Sequence, residues 1–339
     1  MSLPEPPDNQ PLYGDGEVPF ERPKTNRGLG LPRWFAVLDY FFLLRPMILI
    51  PVWLFLLLGH YHGLQSAGGY RWTEQLLPDL DLLIGFVAYT LLVGGIYVNN
   101  QLNDAETDRR NRKLFLVCDG YISRRAAWTY QIILQALALA STLYFADWDY
   151  LWIVAASIAL GFAYNTPPVK LKGKPLLDVA ANAFGNGFFN VAVGFVIVSG
   201  FQPGFWLTAL PYMLAVGAVF ALTTVVDVAG DRESGEHTTA VTCGPAFTRW
   251  LALALQAGSV AAALIRLNRP ALVAGAVCLP LFVVALWGKR KHVKLAYQGT
   301  TLLYAVAAGV LYPWFLVFLG LVIWLTRYYY RKKFRLKYP

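Results

Sequence analysis

The chain has 339 residues, of which 57% are hydrophobic and 14% charged, and its apolar residues fall in runs near the length that crosses a bilayer. This composition excludes an ordinary soluble domain and points to an all-α, polytopic membrane protein. The net charge of +9 does not argue for nucleic-acid binding, because Lys and Arg lie in short loops between apolar runs, where membrane orientation accounts for them. Cys118, Cys243 and Cys278 have no metal-ligand spacing, and their odd count gives no disulfide framework.

Residues 1–34 are rich in Pro, Gly and charge, and read as a disordered tail with a surface-lying stretch near Leu31 to Phe35. No signal-peptide pattern opens the chain. Apolar spans follow at 35–59, 82–101, 126–146, 149–164, 178–200, 204–226, 246–265, 270–288 and 299–326. They define one bundle of about nine transmembrane helices within a membrane domain at 35–328, followed by a basic tail at 329–339.

Basic residues crowd three loops: Arg109, Arg110, Arg112, Lys113, Arg124 and Arg125 after the second span, Lys170, Lys172 and Lys174 after the fourth, and Lys289, Arg290, Lys291 and Lys294 after the eighth. These loops share one side, which the positive-inside rule assigns to the cytoplasm of a cell inner or plasma membrane. The segment from Arg327 to Pro339 is also basic, yet an odd number of spans leaves it outside. Pro313 lies within the last apolar stretch, which is long for one span and short for two, so it reads as a kinked helix or a tight hairpin. Nine spans are expected.

Two acidic clusters stand out, Asp104-Ala-Glu-Thr-Asp108 and Asp227-Val-Ala-Gly-Asp231, each directly after an apolar span on the basic side. Carboxylates this close to hydrocarbon are costly and usually functional. Aspartates four residues apart share a helix face, and two such pairs across a bundle supply hard oxygen ligands of the kind that recruit Mg²⁺ together with a diphosphate. Solvated loops are the bland alternative.

The surrounding residues carry more. Asn100-Gln101-Leu-Asn-Asp104-Ala-Glu-Thr-Asp108-Arg-Arg-Asn111-Arg112 resembles the first signature of the UbiA family of intramembrane prenyltransferases, and Asp227-Val-Ala-Gly230-Asp231-Arg-Glu-Ser-Gly235-Glu-His-Thr-Thr239 is similar to its second. Between them, Tyr164-Asn-Thr-Pro-Pro-Val-Lys170-Leu-Lys172-Gly173 resembles the family's central segment, and Leu44-Arg45-Pro46 its opening element.

The resemblance implies transfer of a prenyl chain from a polyprenyl diphosphate to a lipophilic or aromatic acceptor, such as a quinone precursor or a tetrapyrrole-like compound, with membrane lipid around the fold. It implies Mg²⁺ bridging Asp104, Asp108, Asp227 and Asp231 to the diphosphate. Asn100, Gln101, Arg45, Arg112, Lys113, Tyr164, Lys170 and Lys172 become candidate diphosphate contacts. The chemistry agrees, since ionising an allylic diphosphate builds up anionic charge that divalent cations and Lys or Arg neutralise. Gln101 stands where many members carry Asp. After Arg112 the chain reads Lys113-Leu-Phe-Leu-Val-Cys-Asp119-Gly120 and lacks the family's usual Pro-Arg-Pro turn.

Phe188 and Phe189, beside Gly185 and Gly187, are candidates for cation–π contact with the prenyl cation, simple helix packing being the other reading. Arg45 reads as lying within the first span, where it needs a polar partner. His60 and His62 read as solvated on the far side, and His237 as a phosphate contact or a solvated group. Two other classes fit the sequence less well. A cation-coupled transporter usually places its acids at the midplane, and the motif of CDP-alcohol phosphotransferases is missing from the sequence.

Overall fold

The computed structural model describes residues 30–110, 115–336 and 338. Regular structure among them is entirely helical. A short helix α1 (Phe35–Leu43) precedes α2 (Pro46–Ser66), α3 (Leu80–Arg110), α4 (Arg124–Phe145), α5 (Trp148–Asn165), α6 (Leu177–Val196), α7 (Phe205–Glu233), α8 (Pro245–Ile265), α9 (Arg269–Ala285), α10 (Arg290–Leu311) and α11 (Pro313–Phe334). By length and composition, α2, α3, α4, α6, α7 and α8 can each cross a membrane. The protein is therefore a multi-pass helical bundle.

Polar residues begin the helices where the first backbone N–H groups would otherwise lack acceptors. Ser123 accepts from the Ala126 N–H at 3.1 Å, Asp147 from Tyr150 at 2.8 Å, and Asn268 from Ala271 at 3.2 Å. Proline at the first turn starts α2, α8, α9 and α11, where its missing N–H costs nothing.

Two expected spans are each broken in two, at the same kind of place. The first, 35–59, is divided at Leu44 and Arg45, with Arg45 at φ 58°. The residue before a proline is kept out of right-handed helix by the proline ring, and Pro46 follows. Arg45 therefore stands at the entrance to α2 rather than inside a span.

The last expected span, 299–326, is likewise two helices, parted at Tyr312 (φ −131°, ψ 84°) before Pro313. A tight hairpin joins them: a Cβ on Gly309 would lie 2.3 Å from the Leu316 side chain. The carbonyls that end α10 find donors outside the helix, Leu311 from the Tyr70 hydroxyl at 2.8 Å and Val310 from the Trp72 indole at 2.7 Å. Helix α11 then returns to the side where α1 lies. There the Tyr329 hydroxyl donates to Asp39 at 2.6 Å and the Lys333 ammonium pairs with the same carboxylate. The basic C-terminal segment that an odd number of spans left on the wrong side thus rejoins the loops rich in Lys and Arg.

On the opposite side the histidines are packed rather than solvated. His60 is 2% exposed, and its Nδ1 lies 2.8 Å from the Tyr312 hydroxyl. His62 Nε2 meets the Tyr212 hydroxyl at 2.8 Å, which donates to Asn268 at 2.9 Å. Helices α2 and α6 approach closely beside this network, where Gly59 faces the Val191 carbonyl and Gly194 the Leu56 carbonyl.

Candidate active site

The three central motifs meet at one end of the bundle. Asn100 and Asp104 lie one turn apart on α3, and the Asn100 amide donates to Asp104 at 2.9 Å and to Asn165, at the end of α5, at 2.8 Å. The loop after α5 carries the two lysines. Lys172 pairs with both carboxylate oxygens of Asp104. Lys170, held in left-handed backbone at φ 37°, pairs at 2.6 Å with Glu236 in the segment that follows the second acidic cluster. One loop therefore links Asp104 of the first cluster to the segment after the second, and residues 68 positions apart share an ion pair.

That polar rim opens into a cavity of about 520 Å³ between α2, α3, α5, α6, α7 and α10, within the range of small-molecule sites. Arg45, Asn100, Tyr164, Lys172 and Asp227 line its mouth, whereas Leu54, Phe55, Val93, Val216 and Phe220 line its depth. On α7 the lining runs from Asp227 back to Ala215, about 18 Å at 1.5 Å per residue. A charged mouth over a long apolar sleeve suits an amphiphile with an anionic head.

The expected site residues divide accordingly. Arg45 approaches the Asn100 side-chain oxygen at 3.5 Å, and Tyr164 lines the cavity with its hydroxyl against Asn182, near Asp104, Asp178 and Asp231. Asp108 and Asp231 lie one turn beyond Asp104 and Asp227 on their helices. Asp108 is buried, and Asp231 accepts from the Thr238 hydroxyl at 3.1 Å. Lys170 serves the Glu236 pair and is not on the cavity wall. Gln101 turns away from the cavity: its amide donates to the Leu43 carbonyl at 2.8 Å and to Tyr97 at 3.2 Å, tying the end of α1 to α3. Arg112 and Lys113 lie outside the described residues. Phe189 lines the cavity, while Phe188 does not and packs edge-on against Phe205 at 5.6 Å.

Residues 48–299 match the model of the UbiA prenyltransferase family. The chain belongs to this family, and it is a prenyltransferase. Its sequence is 28% identical over 231 residues to the lycopene elongase/hydratase of Haloferax volcanii, a match covering 64% of this chain and 72% of that protein. The fold is similar to that of a UbiA homolog from Archaeoglobus fulgidus bound to GPP and Mg²⁺, with TM-score 0.59 and 21% identity over 80% of this chain and 99% of the other. It is also similar to a digeranylgeranylglyceryl phosphate synthase, with TM-score 0.60 and 18% identity over 81% and 97% of the two chains.

In this UbiA-family prenyltransferase the sequence motifs omit one carboxylate that shapes the site. Asp178, fully buried on α6, accepts from the Thr239 N–H at 2.8 Å, from the Thr239 hydroxyl, and from the Val179 N–H at 2.8 Å. The same Thr239 hydroxyl accepts from the Leu176 N–H at 2.8 Å. Asp178 thus anchors the segment after the second cluster to the start of α6. Its place four residues before Asn182, with Asn186 and Asn190 continuing the interval, was the available signal. Asp178→Ala leaves three buried donors without an acceptor and is expected to lower stability by about 3 kcal/mol, read as a drop in thermal unfolding temperature in detergent. An Asp178→Asn protein is expected to lose less.

The C-terminal segment also reaches the mouth. After Arg335 reverses the chain at φ 57°, the Tyr338 ring packs on Tyr330 at 4.7 Å. Burial pushes the Tyr338 phenol above its ordinary pKa and the nearby Arg45 guanidinium pulls it back.

Proposed function

We propose that the protein moves a prenyl chain from an allylic polyprenyl diphosphate to a lipophilic acceptor, assisted by Mg²⁺, with the mouth of its site on the cytoplasmic side. The observation that carries this reading is the loop bearing Lys170 and Lys172, which ties Asp104 of the first acidic cluster and the segment after the second to the rim of a long apolar cavity. The orientation rests on the Lys- and Arg-rich loops on that side.

The donor set fits Mg²⁺. Its oxygens come from two aspartate pairs, Asp104 with Asp108 and Asp227 with Asp231, and this ion is commonly held by one or two carboxylates plus substrate phosphates and water. Among the described residues no cluster of three His, Cys, Asp or Glu could hold an ion alone, so phosphate oxygens would complete the shell. When bound, the ion draws charge from the departing diphosphate.

The chain's own groups supply the rest. Lys172 and Arg45 face the mouth, where they would take up phosphate charge as the carbon–oxygen bond of the allylic diphosphate breaks. Asn100 holds Asp104 and Asn165 in register. Tyr164, Phe189 and Phe220 turn aromatic or apolar surface toward the cavity, which suits a prenyl cation and keeps water from it.

For the acceptor, the likeness to lycopene elongase/hydratase and the apolar depth of the cavity favour a linear isoprenoid. An aromatic quinone precursor is the second reading, supported by the resemblance of the motifs.

The test is diphosphate release by the purified protein from geranyl and geranylgeranyl diphosphates, with and without Mg²⁺, offered lycopene or homogentisate as acceptor. Release is expected to stop with EDTA and to return with Mg²⁺. Lys172→Met is expected to lower it about 10²-fold. Release that persists in EDTA would sink the metal-assisted reading, and its absence with every acceptor would sink the transfer itself.

A further inference from the structure

Helix α6 carries an uncommon polar stripe. From Asp178 at its mouth end, Asn182, Asn186 and Asn190 follow at intervals of four, and the three asparagines line the cavity. Each amide nitrogen is used along the stripe: Asn182 donates to the Asp178 carbonyl at 3.0 Å, Asn186 to the Asn182 side-chain oxygen at 3.0 Å, and Asn190 to the Asn186 carbonyl at 2.9 Å. Those bonds fix which way the last amide points, because a carbonyl partner requires its nitrogen.

What remains is the Asn190 side-chain oxygen. Asn190 is 1% exposed, and this oxygen accepts no hydrogen bond among the described residues. A buried acceptor left unpaired costs free energy comparable to a lost hydrogen bond. The π-helical turns of Ala183–Phe189 end directly before it, and such turns recur at functional sites. Asn190 lies thirteen residues past Leu177, about 20 Å from the mouth end of α6. On other walls of the cavity, Tyr89 and Ser157 pair their hydroxyls at 3.0 Å.

We propose that Asn190 forms a hydroxyl-binding subsite in the depth of the cavity, accepting a hydrogen bond from an O–H group at the remote end of a long isoprenoid ligand. This inference rests on the prenyl-transfer reading, which places the anionic head of the donor at the mouth. Hydrocarbon packed against Asn190 leaves its oxygen unpaired, whereas a terminal hydroxyl satisfies it.

The probes are geranylgeranyl diphosphate and its ω-hydroxylated analogue, with the farnesyl pair as a control of length. Equilibrium binding is measured on the full chain in lipid nanodiscs with Mg²⁺. The affinity ratio, hydroxylated over plain, is expected to fall about tenfold from the unsubstituted protein to Asn190→Leu, and to be retained in Asn190→Asp, which keeps an oxygen at that place. Should Asn190→Leu not give a monodisperse protein, Asn190→Ala removes the same oxygen with less steric demand and carries the same expectation. A ratio unchanged by substitution overturns the subsite, and is the outcome if Asn190 only packs or holds water. Diphosphate release by the unsubstituted protein is scored separately: its failure counts against the prenyl-transfer reading, while the affinity ratio still decides the subsite.

Discussion

Replacing Asp227 with alanine is expected to lower diphosphate release by at least about 10²-fold, the scale on which a single group aimed at developing charge contributes to catalysis. Asp227 stands on the cavity wall at the last turns of α7, across the mouth from Asp104. The two differ in their surroundings. Asp104 shares its charge with Lys172 and accepts from Asn100, whereas Asp227 lies near Tyr297 of α10. If Asp227 acts by charge, Asp227→Asn, which keeps the size and loses the charge, falls nearly as far as Asp227→Ala. The Mg²⁺ concentration for half-maximal rate then rises in both. If the side chain only packs, the asparagine protein stays within about threefold of the parent, and that result removes Asp227 from the metal-binding set. Measuring the rate against Mg²⁺ at saturating geranylgeranyl diphosphate separates the two, because a packing defect has no reason to shift the metal dependence.

The parts of this candidate site legible in the sequence were those placed at helix ends. Asn100, Asp104, Tyr164, Lys172 and Asp227 lie at or beside the mouth ends of α3, α5 and α7, so alternating helix direction alone brings them to one side. Their contacts depend on rotation about each helix axis, which motif order does not specify. Gln101 shows the consequence. It follows Asn100 by one residue, a turn of about 100°, and that rotation carries its amide from the cavity to the Leu43 carbonyl.

The break at Arg45 was hidden for a different reason, and the one at Tyr312 was legible only as a choice between a kinked helix and a hairpin. Hydropathy runs on through both, and only Pro46 and Pro313 mark where the backbone must leave the helix. His60, His62 and the α6 asparagines were misjudged or passed over because a polar residue in an apolar run carries no record of its partner. Tyr312, which satisfies His60, is 252 residues away.

The largest stability effect is expected where no motif lies. A Cβ on Gly194 would sit 1.9 Å from the Leu56 carbonyl oxygen and 2.7 Å from the His60 nitrogen. Both are backbone atoms in the middle of α2, so no side-chain rotamer can relieve the contact, and Gly194→Ala forces α2 and α6 apart. Gly59, whose Cβ would lie 2.0 Å from the Val191 carbonyl oxygen, closes the same seam and leaves no slack beside it. Overpacking of side chains alone costs about 1–3 kcal/mol, and a clash with two helical backbones belongs at or beyond the top of that range. These helices carry Arg45 at the mouth and Asn190 in the depth, so their separation also opens the cavity wall. Gly194→Ala is therefore expected to give little monodisperse protein, or protein with a sharply lower unfolding temperature. Gly320→Ala on α11 is the control, since a Cβ there meets nothing within 4 Å, and alanine in place of glycine within a helix stabilises by about 0.5–1 kcal/mol. Equal unfolding temperatures for the two proteins would show that α2 and α6 do not meet backbone to backbone, and would leave the depth of the cavity without its wall.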